Sequence, residues 1–143
     1  MYADILVPTD GSDGTETVLE HALAIAAAHG GTLHGLYVVD RRRYTAAPEG
    51  STQAVLDSLE AEGAAALEEL EAAAADAGVE SVTAQRDGVP HREILDYATE
   101  RGVDLVVMGT HGRTGPDRLA NLGSTTERVV KNGDVPVLVV DIE

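Results

Sequence analysis

A glycine-rich loop that leads to a hydroxyl-bearing helix start is the part of this sequence best suited to chemistry. Its small and hydroxylated residues are, in chain order, Gly109, Gly112, Gly115, Gly123, Ser124, Thr125 and Thr126. Glycine lets the backbone turn sharply or approach a ligand closely, and the first residues of a helix carry unpaired N–H groups at the positive end of its dipole. Backbone N–H groups and hydroxyls gathered in this way favour a phosphate group.

The helix start also has an ordinary structural explanation. Ser124 and Glu127 have the spacing of a capping box, in which the serine only caps its own helix. Capping requires no glycines on the preceding loop, so the loop favours phosphate binding. His111 in that loop could touch a phosphate or act as an acid. Without a partner serine or carboxylate at a recognisable spacing, it is better interpreted as a loop-packing residue.

Apolar runs alternate with helical patterns along the chain, which predicts an α/β fold with a parallel sheet. Strands are predicted at about 4–8, 32–39, 79–86, 104–108 and 136–140. Helices are predicted after the loop at 10–13, up to Gly78 in an alanine-rich stretch, from Pro90 to about Arg101, and from Ser124 to Lys131. The segment from Arg41 to Gly50 is predicted to be a loop.

The burial expected of each strand orders the sheet. The strands at 4–8 and 104–108 are continuously apolar, as central parallel strands are, whereas the strand at 79–86 mixes in polar residues and belongs at an edge. These differences predict a doubly wound, five-stranded sheet of order 3-2-1-4-5 with helices on both faces. Winding reverses between strands one and four, where open α/β sheets bind ligands beyond the carboxyl ends of their strands. The loop from Pro8 to Ser12 and the glycine-rich loop should meet there.

Length and charge limit the possible functions. The 143 residues are enough for one domain, taken as 1–143, and the 10 basic against 25 acidic residues give a net charge of −15. Such a charge disfavours nucleic acid and anionic membranes as partners and favours solubility at high salt, as in a salt-loving source. A docking face for a basic partner is the alternative explanation of the acidity. The absence of cysteine and of a leader-like start predicts a cytoplasmic protein.

The sequence lacks the residues that several well-known kinds of binding or catalytic site require. The only lysine, Lys131, follows no glycine, so the phosphate loop of common ATPases is absent. The loop from Asp10 to Gly14 has the wrong spacing for a dinucleotide fingerprint. No serine lies in a Gly-x-Ser-x-Gly elbow, and the absence of Trp and Phe argues against a flavin site.

Two motifs that the chain does contain resemble those of the universal stress protein family, and the resemblance extends over essentially the whole chain. Pro8-Thr9-Asp10-Gly11-Ser12 matches the family's first-strand loop, and Gly109-x-x-Gly112 followed by Gly123-Ser124 resembles the motif of its ATP-binding branch. The resemblance implies that Asp10 and Val39 border the adenosine, while the glycine loop and the helix start hold the phosphates. The nucleotide-binding residues that it implies are Pro8, Thr9, Asp10, Val39, Met108, Gly109, Gly112, Arg113, Gly123, Ser124, Thr125 and Thr126.

One spacing departs from the family pattern. The interval from Arg113 to Leu122, between Gly112 and Gly123, is one residue longer than the family usually has. The extra residue either bulges near Pro116, leaving Gly123 at the phosphate, or rotates the helix and draws Gly123 away.

The interpretation that follows is a stress or signalling protein that binds ATP or a related adenine nucleotide and changes its partners accordingly. Mg²⁺ could accompany the nucleotide, held by Asp10 and Asp40 with phosphate oxygens. The run Arg41-Arg42-Arg43 lies near the expected crevice and either meets phosphate or forms a surface cluster. Two other functions stay open: a dimeric interaction module without nucleotide, and a slow ATP hydrolase using His111, Asp10 and Arg113.

The last strand predicts self-association. It is almost wholly apolar yet expected at the sheet edge, where unpaired backbone groups face solvent. A two-fold symmetric partner could pair its own last strand antiparallel to this one. The sequence therefore predicts a homodimer formed through Val137 and Val139, an arrangement that the family resemblance also implies.

Overall fold

The computed structural model describes residues 1–12, 14–110 and 122–142, which form a parallel sheet with helices on both faces. The elements are β1 (Asp4–Thr9), α1 (Thr15–His29), β2 (Thr32–Asp40), α2 (Arg41–Thr45), α3 (Thr52–Asp76), β3 (Glu80–Gly88), α4 (Pro90–Glu100), β4 (Leu105–Gly109), α5 (Ser124–Asn132) and β5 (Val137–Val140). The five strands lie in the order β3-β2-β1-β4-β5 and pair in parallel. The predicted fold class and strand order are confirmed.

Side-chain alternation along β1 divides the core into two layers. Ile5 and Val7 pack with α1 and α3 on one face of the sheet, whereas Leu6 packs with α4 and α5 on the other. All three side chains are fully buried, because helices cover both faces of the sheet. Strand β1 pairs with β2 on one side and with β4 on the other. The winding reversal therefore lies between β1 and β4, as predicted.

The segment after β2 corrects one prediction. Residues 41–45 form the short helix α2, where the sequence was interpreted as a loop. Asp40 is its N-cap and accepts a hydrogen bond from the backbone N–H of Arg42 at 3.0 Å. An aspartate that directly precedes helix-tolerant residues is a start signal, and it outweighs the polar, loop-like composition of the segment.

Helix α3 lies close to β2 because glycine occupies the contact on each side. A Cβ atom at Gly35 of β2 would lie 2.7 Å from Cδ1 of Leu70, and one at Gly63 of α3 would lie 2.5 Å from Cδ1 of Tyr37. Neither distance leaves room for a side chain, so these two glycines set the spacing of the α3 layer.

We expect Gly35→Val to lower the free energy of unfolding by about 1–3 kcal/mol, since the added side chain must displace buried Leu70. Urea unfolding followed by circular dichroism measures this change. Gly35→Ala, which adds only the Cβ, should lose less. A wild-type midpoint in Gly35→Val would contradict the close packing of Leu70 against Gly35.

Within the described residues, no helix combines the length and apolar character needed to cross a membrane.

Candidate functional site

A cleft of about 610 Å³ opens at the carboxyl ends of β1, β2 and β4. Its floor is apolar and its rim carries hydroxyls, backbone groups and arginines. The floor is lined by Val18, Leu36, Val38, Ile94, Met108 and Ile142. A concave apolar surface with a few convergent polar groups is the usual form of a small-molecule site. The cleft lies at the predicted reversal of winding between β1 and β4.

The loop between β1 and α1 is fixed by its own side chains. Oδ1 of Asp10 accepts a hydrogen bond from the backbone N–H of Ser12 at 2.9 Å, and Oγ1 of Thr9 accepts one from the N–H of Gly11 at 3.1 Å. Gly11 has a φ of +78°, a conformation that glycine adopts without strain. The hydroxyls of Thr9 and Thr15 lie 3.2 Å apart. The loop therefore presents its backbone to the cleft in one defined shape.

On the opposite wall, α5 begins without a side-chain cap. Gly123 is the N-cap residue, with φ −62° and ψ 153°, and no side chain forms a cap hydrogen bond. The alternative interpretation of Ser124 as the cap of a capping box is therefore wrong, because Ser124 is already helical. Ser124 and Thr125 line the cleft at the positive end of the α5 dipole. This helix start has the geometry of an anion site.

The long interval before Gly123 does not draw it away from β4. The backbone N–H of Gly123 donates to the carbonyl of Thr110 at 2.7 Å, directly after the end of β4. Gly123 and Gly109 consequently line the same cleft. The bulge expected near Pro116 lies outside the described residues.

Thr126 has a role that its position in the motif did not reveal. Its hydroxyl is buried and donates to the carbonyl of Gly109 at 2.9 Å. The hydrogen bond fixes the first turn of α5 to the end of β4. Thr126 thus positions the helix start, whereas the nearby residue Ser124 is exposed.

Most of the residues implied by the resemblance meet in the cleft. Those that line it are Pro8, Thr9, Asp10, Met108, Gly109, Gly123, Ser124, Thr125 and Thr126. Val39 is not among the lining residues: it is buried with Leu59 and Leu67, and its neighbour Val38 lines the cleft instead. Gly112, Arg113, Gly115 and His111 lie outside the described residues.

One part of the wall was not predicted: Pro90 and Ile94 of α4 line the cleft. Arg42 and Arg43 of α2, for which the sequence left contact with phosphate and a surface cluster both open, line it as well. Pro90 is the first residue of α4 and follows β3, whose carboxyl end lies at the same edge of the sheet. That order of elements was visible in the sequence and could have placed Pro90 at the cleft.

Asp40 is held by Arg42, which affects the expected Mg²⁺ site. Burial raises the pKa of Asp40, but hydrogen bonds from the side chain and backbone of Arg42 and the charges of Arg42 and Arg43 outweigh it, leaving the pKa below its usual value. Both carboxylate oxygens accept from the guanidinium, at 3.0 and 2.8 Å. In the described ranges no three His, Asp or Glu side chains group together as metal ligands.

Comparison with known proteins identifies the family. Residues 1–141 match the model of the universal stress protein family. The chain belongs to this family. Universal stress protein MJ0531 of Methanocaldococcus jannaschii is 41% identical over 141 residues, covering 98% of this chain and 82% of the relative.

Solved universal stress proteins share the fold. The structure of MJ0577, from the same archaeon, is 34% identical and superimposes with a TM-score of 0.88, covering 100% of this chain and 98% of the other. A universal stress protein in complex with cAMP is 26% identical with a TM-score of 0.74, and 97% of each chain is covered. The family relationship thus extends over the sheet and every described element around the cleft.

Proposed function

We propose that this chain is a nucleotide-binding universal stress protein whose cleft takes ATP or a related adenine nucleotide, and that it acts as a sensor or regulator. The observation that carries the proposal is the uncapped start of α5, held against the end of β4 at the rim of an apolar cleft. The cAMP complex of a relative supports an adenine nucleotide as the ligand class.

The cleft offers one environment to the base of a nucleotide and another to its phosphates. Its apolar floor, with Val38 and Met108, suits the base, and the fixed loop at Asp10 borders the sugar. The N–H groups of Ser124 and Thr125 suit the phosphates, because donors at a helix start favour negative charge. Asp10 would hold Mg²⁺ together with phosphate oxygens.

The setting of the protein is inferred from its charge. Residues Glu60, Glu68, Glu69 and Glu71 are exposed on α3, and the net charge is −15. We infer a single nucleotide-binding domain that works in the cytoplasm of a cell with high salt, where screening reduces the repulsion between carboxylates.

Isothermal calorimetry tests the proposal. ATP with Mg²⁺ is titrated into the protein at low and at high salt, with cAMP, AMP and GTP as comparison ligands. The proposal requires saturable binding of at least one adenine nucleotide, more tightly than GTP. Absence of saturable binding for every adenine nucleotide would contradict it and favour the alternative of an interaction module.

We expect bound ATP to turn over far more slowly than the roughly 1–10³ per second that is typical of enzymes. Even slow hydrolysis needs a positioned base. Among the described residues the candidate is Asp10, and its carboxylate already accepts a hydrogen bond from the backbone N–H of Ser12. Phosphate release from Mg-ATP measures the rate. Rapid release that His111→Ala eliminates would show an enzyme instead.

A further inference from the structure

A second group of basic residues adjoins the cleft on its α4–α5 side. It consists of His91 and Arg92 in the first turn of α4, Arg128 of α5 and Arg42 of α2. We call this group the basic rim. In a chain with 25 acidic and only 10 basic residues, this concentration of positive charge is unusual.

The cleft and the packing of its helices place these residues together. Pro90, Arg42 and Ser124 line the cleft, and His91 directly follows Pro90. Arg128 lies four residues after Ser124, on the same side of α5. Helices α4 and α5 share one core, in which Ile94 packs with Val129. The basic rim is therefore continuous with the helix start that we assign to phosphate.

The three arginines of the basic rim act on His91. Burial lowers the pKa of His91, and the charges of Arg128, Arg92 and Arg42 lower it further. Among the ion pairs of the described residues, Arg42 has Asp40 as its partner, whereas Arg92 and Arg128 form none. The hydrogen bond from Lys131 and the charges of Lys131 and Arg128 lower the pKa of Glu127, so Arg128 is partly balanced by that carboxylate and Arg92 is the arginine without an ion pair. His91 and Arg92 also occupy a first helical turn, where the dipole disfavours cations.

We propose that the basic rim is a second anion position, which takes the distal phosphates of a nucleoside triphosphate whose inner phosphate lies at the start of α5. Mutual repulsion of this kind is relieved by a polyanion, and arginine guanidinium groups match phosphate oxygens in geometry and charge. The basic rim therefore makes the cleft selective for triphosphates over monophosphates. This inference rests on the proposed function and specifies its preferred ligand.

The test compares ATP, AMP and inorganic tripolyphosphate by calorimetry. The double variant Arg92→Gln/Arg128→Gln removes two charges from the basic rim. Its matched control is Arg101→Gln/Lys131→Gln, which removes the same charge elsewhere: Arg101 lies over the ring of Tyr97, and Lys131 pairs with Glu127 in the last turn of α5. Both variants exchange exposed side chains, so the fold should persist.

The wild type should bind ATP more tightly than AMP, and the basic-rim variant should lose about tenfold in ATP affinity with AMP affinity unchanged. The control variant should keep the wild-type preference. Equal losses for ATP and AMP, or an unchanged ATP affinity, would overturn the inference while leaving nucleotide binding intact.

Tripolyphosphate separates the two proposals. If the wild type binds no nucleotide but binds tripolyphosphate, and the basic-rim variant loses that binding, the anion position stands and the proposed function fails. An NMR titration of His91 gives an independent readout, because a bound polyanion favours the charged imidazolium and should raise its pKa. A His91 pKa that tripolyphosphate does not move would contradict the assignment.

Discussion

Gly123→Val should abolish ATP binding and leave the fold intact. Gly123 has an extended backbone conformation, φ −62° and ψ 153°, which valine adopts readily. Its Cβ and methyl groups would stand at the rim of the cleft, where the ligand's phosphates must approach the N–H groups of Ser124 and Thr125. Calorimetry measures the affinity, and thermal unfolding checks the fold, with about 1 kcal/mol lost at the helix cap.

Ser124→Ala is the graded comparison. It removes a hydroxyl but no backbone donor, so affinity should fall by on the order of 1 kcal/mol, several-fold rather than completely. The two variants together separate steric exclusion at the helix start from the loss of one hydrogen bond. An ATP affinity of wild-type strength in Gly123→Val would mean that the phosphates do not bind there.

The second large effect concerns the outer edge of β5. We expect the wild type to be a dimer with twice the 14.9 kDa mass of one chain, and Val139→Lys to be a monomer. Strand β5 ends the sheet and pairs with β4 alone among the described strands, and Leu138 on it is 36% exposed. Antiparallel pairing of two β5 edges would satisfy the backbone groups of both chains. Lysines facing each other across the two-fold axis would oppose it.

Light scattering coupled to size exclusion in salt measures the mass. Val130→Lys is the matched control, since Val130 is an exposed valine, 44% accessible, that belongs to α5 and not to β5. It should remain dimeric. A wild-type protein that is monomeric at micromolar concentration would contradict the role assigned to Val137 and Val139.

The strand order of the sheet could be predicted because the residue types of a strand indicate how deeply that strand is buried. Ile5 to Val7 are apolar at every position, as a strand covered on both faces requires, while β3 carries polar residues and lies at the edge. The helix α2 was missed because its start depends on one aspartate, Asp40, whose capping hydrogen bond outweighs a loop-like composition.

The position of the cleft could be predicted from the sequence, but not every side chain that lines it. Parallel strands bring their carboxyl ends to one edge, so Asp10 and Gly109 had to lie close together. Which of Val38 and Val39 faces the cleft depends on strand alternation, and a shift of one residue reverses it. The hydrogen bond from Thr126 to Gly109 depends on how α5 docks against β4, and no local pattern specifies that.

Amide NMR of the ¹⁵N-labelled protein, titrated with Mg-ATP, tests most directly whether the start of α5 binds phosphate. We expect the largest shifts at Gly109, Gly123, Ser124 and Thr125, and smaller shifts at Asp10 and in β2 near Val38. In the same titration of Gly123→Val, the amide resonances of Gly109, Ser124 and Thr125 should not shift. Saturable shifts confined to the exposed face of α3 or to β5, with the amides at the start of α5 unmoved, would contradict it.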